Sequence, residues 1–265
     1  MSDYFGYNDI ILENKKRISP SSLTKLFDNP SKWYDEAIKG NKTFHGNTKT
    51  VIGNIIHGRI HKYYDGKEPI DIEEEFEMVE RYRDNPDVDG QIVHKEVERI
   101  WDMIRLTYLE KYPKPDKMEE GILYEIPDSN YFIGGSYDAL EGKTIIDFKT
   151  TTTTPKKINV GHRLQLLTYS LILALNGFRP NKMRVVYIVR LKKEPKVIVL
   201  EEDITDRDYE YIKVNIKNIV RRLEMVDEDN SLLDLLFAPN PLSRLWNYFF
   251  LIVGVSEANL RPIEW

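Results

Sequence analysis

The hydrophobic pattern of this chain changes period once, near Pro113 and Pro115, and that change limits the possible folds more than any other feature of the sequence. Before the prolines the apolar residues recur at helical spacing. Val51, Ile52, Ile55, Ile56 and Ile60 predict a helix over about 48–64, and two more are expected over 72–83 and 92–112. Earlier still, Ser21-Ser22 ahead of Leu23, Leu26 and Phe27 opens a helical segment, which Asn29-Pro30 breaks and residues 32–39 resume. After the prolines the pattern alternates. Strands are expected over 122–126, 131–140 and 144–150, with turns at 127–130 and 141–143. A helix over 160–176 follows, ended by Gly177 as a C-terminal cap. Two strands, 183–189 and 197–200, and helices over 206–226 and 242–253 complete the order. Helices, then strands, a helix, strands and helices describe an α/β chain: a mixed central β-sheet flanked by helices, with a helical N-terminal extension and a helical C-terminal segment. With no Gly/Ser linker and no repeat, one domain over 1–265 is expected, made of a helical part (1–118), a sheet core (119–202) and a helical end (203–265).

Composition matters chiefly for what it excludes. The 265 residues contain no cysteine, so disulfides, zinc–thiolate sites, cysteine-held iron–sulfur clusters and cysteine nucleophiles are all ruled out. The longest apolar run, 246–255, is interrupted by Asn247 and too short to cross a bilayer. The opening Met-Ser-Asp-Tyr-Phe lacks the character of a signal peptide, so a cytoplasmic location (the host's, for a viral protein) is expected. Net charge is −5, but charge is segregated. Residues 68–102 and 201–229 are mostly acidic. Arg179, Lys182, Arg184, Arg190, Lys192, Lys193 and Lys196 stand against only Glu194, and Lys15, Lys16, Arg17, Lys25 and Lys32 bias the start. Such clusters are either solvated faces or local phosphate-attracting surfaces.

The chemistry gathers on one predicted hairpin. Alternate strand residues share a face, so Asp147 and Lys149 point one way while Ile146 and Phe148 point the other. A two-residue type II′ turn at Gly142-Lys143 sets Glu141 against Thr144, Leu140 against Ile145 and Asp138 against Asp147. Opposed side chains have Cβ atoms roughly 4.5–5.5 Å apart. Two carboxylates that close repel unless a cation lies between them, and an oxygen-lined site suits Mg²⁺ or Mn²⁺. These parts allow phosphodiester hydrolysis, with Lys149 holding or deprotonating a water or stabilising phosphate charge. The bland alternative is a surface hairpin whose Lys149 neutralises the two aspartates. His57 alone on an apolar helix reads equally as a core histidine, or with His61 as a zinc pair. Gln165 and Tyr169 read as polar groups at a core edge.

Four motifs in order resemble the RecB-like exonuclease branch of the PD-(D/E)XK nuclease superfamily, over about residues 18–200. Gly53-Asn54-Ile55-Ile56-His57 matches its Gly-x-x-x-His helix, and Gly135-Ser136-Tyr137-Asp138 its Gly-x-x-Asp strand. Ile145-Ile146-Asp147-Phe148-Lys149-Thr150 matches its Asp-aromatic-Lys-Thr strand, and Gln165-Leu166-Leu167-Thr168-Tyr169 its Gln-x-x-x-Tyr helix. Ser19-Pro20-Ser21-Ser22-Leu23 and Asn29-Pro30 also resemble the start of these enzymes.

The resemblance implies a restriction-endonuclease-like core and a Mg²⁺- or Mn²⁺-dependent deoxyribonuclease, an exonuclease acting on DNA ends or single strands. It is similar to standalone CRISPR-associated and phage enzymes. His57, Asp138, Asp147 and the carbonyl of Phe148 would hold the metal. Lys149 would be the catalytic lysine, Gln165 and Tyr169 would line the site and position DNA, and Glu125 is a softer acidic candidate. A helicase, recombinase or single-strand-binding protein is an expected partner, because the chain carries no phosphate loop of its own. The alternatives are a non-catalytic DNA-end or adaptor protein of the same fold, or an enzyme working on RNA or inside a CRISPR-adaptation assembly. The chain departs from the branch in one respect. Many members hold an iron–sulfur cluster with one early and three late cysteines, and this sequence has none. Packing of Leu242, Leu245, Trp246, Phe249 and Phe250 is expected to tie the ends together instead.

Overall fold

The computed structural model describes residues 12, 14–41, 46–66, 72–191 and 194–237. The expected helix over 242–253, the five residues expected to tie the ends, and Lys192 and Lys193 lie outside them.

Strand β1 (Lys16–Ile18) is followed by two short helices, α1 (Leu23–Asp28) and α2 (Pro30–Trp33), the second widening into a π-turn at Tyr34–Ile38. Pro30 sits in the first turn of α2, where its missing N–H is not needed, and the Asn29 side chain caps that turn by accepting from Lys32 N. Helix α3 (Thr48–Tyr64) starts at Asn47, whose side chain accepts from Thr50 N, and runs over the predicted span. Helix α4 (Ile72–Glu80) and helix α5 (Gly90–Ile104) follow. The expected helix over 92–112 is therefore cut short: after Ile104 the backbone widens into a π-turn at Arg105–Leu109 that turns Tyr108 and Leu109 into the core.

Eight strands form two sheets among the described residues. The smaller sheet has the order β1–β4–β3, from β3 (Gly121–Glu125) and β4 (Tyr131–Ser136). The larger has the order β2–β5–β6–β7–β8, from β2 (Lys117–Met118), β5 (Ala139–Glu141), β6 (Thr144–Thr151), β7 (Lys182–Val189) and β8 (Lys196–Asp203). It is mixed, since β6 and β7 run parallel while β5–β6 and β7–β8 are antiparallel. The single strand expected over 131–140 is thus two strands in two sheets. Tyr137 and Asp138 belong to neither ladder, and there the chain passes from one sheet to the other.

Parallel pairing requires a crossover, which α6 (Val160–Leu175) supplies; Gly177, at φ +89°, lets the chain turn back into β7. Helix α7 (Asp206–Glu228) opens with a reciprocal cap between Thr205 and Asp208, and a short helix α8 (Leu233–Leu236) ends the described chain. Strand β6 is covered on both faces. Ile145 joins a core with Leu166, Ile172 and Ile216, under α6 and α7. Ile146 and Phe148 join a second core with Val51, Ile55, Val97 and Ile100, under α3 and α5. The described C-terminal end reaches the N-terminal helices at Phe237, whose ring lies 6.0 Å from Trp33 and 5.2 Å from Tyr34. No helix among the described residues is long and apolar enough to cross a membrane.

Candidate active site

The turn between β5 and β6 follows the expected geometry. Glu141 pairs with Thr144, Leu140 with Ile145 and Ala139 with Ile146, and the positive φ falls on Gly142 (+53°), the first residue of a II′ turn. The ladder stops one pair short of the expected Asp138–Asp147 opposition. Asp138 instead leaves the sheet, and its Oδ2 accepts a hydrogen bond of 2.8 Å from Phe148 N–H. The physical reason is the change of sheet at Tyr137–Asp138, which frees Asp138 from backbone pairing and lets its carboxylate cap an amide of the neighbouring strand. His57 of α3 approaches the same oxygen, its Nδ1 at 3.7 Å.

Asp147 is buried on the α6 side, with 2% of its surface exposed. Lys149 Nζ donates to its Oδ1 at 2.9 Å, and Gln165 Nε2 donates to the same oxygen at 3.3 Å. Its other oxygen, Oδ2, is buried with no hydrogen-bond partner among the described residues. Burial and then the repulsion of Asp138 push this carboxyl up to about 7, against the pull of the Lys149 ammonium. Burial holds the His57 imidazole below its usual value, more strongly than Asp138 raises it. A buried acid with an orphaned oxygen is costly unless something arrives to share its charge.

These groups surround a cleft of ≈ 280 Å³. One wall is α3, with Lys49, Thr50, Gly53, Asn54 and His57; Gln165 and Tyr169 of α6 form another, and Asp138, Phe148 and Lys149 also line it. Two glycines explain how the walls come so near. A Cβ on Gly53 would stand 3.2 Å from Thr150 Oγ1, so glycine lets α3 press against the end of β6. A Cβ on Gly135 would stand 2.8 Å from the Tyr169 hydroxyl, so the glycine of one motif makes room for the tyrosine of another.

The structure brings His57, Asp138, Phe148, Lys149, Gln165 and Tyr169 to one cleft, with Asp147 at its edge. Two carboxylates, an imidazole and a main-chain carbonyl form a donor set whose chemistry fits a hard divalent cation. Among the described residues no three His, Asp or Glu side chains stand in ready ligand geometry, so the donors are grouped without forming a closed cage. Glu125 does not line the cleft; it faces Lys15 at 3.3 Å on the small sheet.

Glu119 lines the cleft and was not singled out from the sequence. Its N–H donates to Asp138 O at 2.9 Å, and burial followed by the charges of Asp138 and Asp65 pushes it up to about 7. It sits at φ +48° between two short strands, a position no periodicity marks. His61 faces Asp65 and Glu119, each at 3.8 Å, and is not a partner of His57 in a zinc pair.

The basic stretches prove largely paired. Arg179 meets Asp206 at 2.6 Å, Arg184 meets Glu141 and Glu201 at 2.5 and 2.6 Å, and Lys182 meets Glu201 at 3.7 Å. Lys16 meets Asp227 at 2.7 Å, while Lys25 and Lys32 both reach Glu36, at 3.0 and 3.7 Å.

The family model described as the PD-(D/E)XK nuclease superfamily matches residues 17–231. The chain belongs to the PD-(D/E)XK nuclease superfamily. It is therefore a nuclease by family, a hydrolase of nucleic acid in a group that generally uses divalent metals. Among solved structures, a protein from Eubacterium rectale named "Putative exonuclease" is similar at 18% identity and a TM-score of 0.53, over 78% of this chain and 81% of that one. This likeness shows a shared fold. A second protein, named SSO0001, overlaps 96% of this chain and 91% of its own at 15% identity, with a TM-score of 0.36 that carries no argument. None of the curated proteins compared with the sequence matches it.

Proposed function

We propose that this PD-(D/E)XK chain is a Mg²⁺- or Mn²⁺-dependent deoxyribonuclease of the RecB-like branch, an exonuclease acting at DNA ends or on single strands. The observation that supports it best is the pair of unequal oxygens on Asp147: Oδ1 is held by Lys149 and Gln165, while Oδ2 is buried and unpartnered. A carboxylate held on one side and vacant on the other is arranged for a cation.

Asp138, Asp147, His57 and the Phe148 carbonyl are the residues that would hold it. A divalent cation held there would supply polarisation of the scissile phosphate and a lowered pKa for a bound water. The protein does the rest. The Phe148 N–H fixes the Asp138 carboxylate. His57, kept neutral by burial, offers a lone pair in place of a charge. Lys149 places its ammonium beside Asp147, where it can orient a water or oppose charge growing on the phosphate. Gln165 and Tyr169 share one face of α6 and bound the space the strand enters. DNA is the proposed substrate, the cytoplasm the proposed location, and a helicase, recombinase or single-strand-binding protein the proposed partner.

The test is a time course on end-labelled single- and double-stranded DNA and on RNA, with Mg²⁺ or Mn²⁺. Cleavage is expected from DNA ends, abolished by EDTA and by Asp147→Ala or Lys149→Ala. Full activity in either variant defeats the mechanism. That no three His, Asp or Glu side chains among the described residues stand in ready ligand geometry favours one other reading, a DNA-end-binding protein that has kept the fold. Calorimetric titration showing no divalent-metal binding would select it.

A further inference from the structure

The basic stretches of the sequence read either as solvated faces or as phosphate-attracting surfaces, and in the structure most of their cations pair with acids. Lys49 is different. It lies on the first turn of α3, is exposed, and lines the cleft. No acid among the described residues pairs with it, and the first turn of α3 contains no acidic side chain. Asn54, half-buried on the same wall, likewise has no hydrogen-bond partner among the described residues. The neighbouring Thr50 hydroxyl, by contrast, is already bonded to Asn47 at 3.3 Å.

Lys49, Gly53 and His57 recur at four-residue spacing and so lie along one stripe of α3. At about 1.5 Å per residue, Lys49 lies roughly 12 Å along the helix axis from His57. His57 belongs to the cluster around Asp138, so Lys49 is well beyond reach of the phosphate being cut. Gly53 leaves no side chain between the two, and its backbone presses on Thr150.

We propose that Lys49 holds a second phosphate of the substrate strand away from the scissile bond, with Asn54, three residues from His57, holding the backbone between them. The ammonium supplies charge and the amide supplies a directional donor. A chain of net charge −5 repels nucleic acid at long range, so an unpaired cation inside the cleft carries weight out of proportion to its number. This inference rests on the nuclease reading, and the experiment separates the two.

Binding of a fluorescent single-stranded oligonucleotide is measured by anisotropy in EDTA, across a salt series, for the wild type, Lys49→Gln, Lys49→Arg and Asn54→Ala. Loss of one phosphate contact lowers the slope of log affinity against log salt by about 0.7 for a single strand. Lys49→Gln is expected to show that loss with about fivefold weaker binding. Lys49→Arg is expected to keep the slope, and Asn54→Ala to weaken binding with the slope unchanged. An unchanged slope in Lys49→Gln overturns the subsite, even if the wild type cuts DNA. Conversely, a reduced slope in Lys49→Gln, in a protein whose wild type cuts nothing with any metal, upholds the subsite and defeats the nuclease reading.

Discussion

The two faces of β6 carry opposite burdens on the same eight residues. Toward α3 and α5, Ile146 and Phe148 are buried among aliphatic and aromatic side chains, and the Phe148 ring lies 5.9 Å from Tyr108 and 6.3 Å from His57. Toward α6, Asp147 is as deeply buried, but it is an acid, raised in pKa and short of one partner. One face releases free energy on burial and the other absorbs it. The lesson is that the apolar face anchors the strand firmly enough for the polar face to remain unsatisfied. Placing function and anchorage on alternate residues lets each be tested separately.

The sharpest test is to remove each in turn. Lys149→Ala is expected to lower cleavage by about 10³-fold, with melting temperature nearly preserved. Phe148→Ala is expected to do the reverse at equilibrium, lowering unfolding free energy by about 3–5 kcal/mol, as read by urea denaturation. If Phe148→Ala leaves stability intact, the anchoring role fails.

A smaller effect concerns pH. The Asp147 carboxyl is pushed up by burial to about 7 from its ordinary value of 3.8, so between those values the folded state binds more proton than the unfolded one. The metal-free protein therefore loses stability as pH rises through that window. Asp147→Asn should flatten this slope and stabilise the metal-free protein at pH 8 by on the order of 2 kcal/mol. Denaturation in EDTA at pH 5 and pH 8 checks both the sign and the size. Smaller still, Gly135→Ala is expected to cost about 1–2 kcal/mol by crowding the Tyr169 hydroxyl. The double variant with Tyr169→Phe should regain most of it; failure to do so would place the crowding elsewhere, at Pro20.

Much of this architecture was legible in advance, because periodicity and turn chemistry are local. The span of α3, the β5–β6 register and the crossover α6 all follow from spacing and from Gly142 and Gly177. What was not legible depends on contacts between distant segments. Tyr131 to Leu140 reads as one extended run, and only the competing partners β1 and β2 divide it between two sheets. Glu119 carries no pattern, and its place in the cleft comes from the fold of two-residue β2 against β5. The cations at Arg184 and Lys16 read as a surface because their acids lie far away along the chain. Lys49 was passed over because its place on the cleft wall comes from how α3 packs against β6, although no acid lies near it in sequence.

The contact of Phe237 with Trp33 and Tyr34 has a consequence for how the chain is held closed. It joins the described C-terminal end to the helical stretch that follows Asn29-Pro30. An aromatic contact needs no iron supply, no sulfur donor and no assembly pathway, and oxygen does not dissolve it. The join is one of apolar packing, so its strength is set by burial and not by the redox state of a bond.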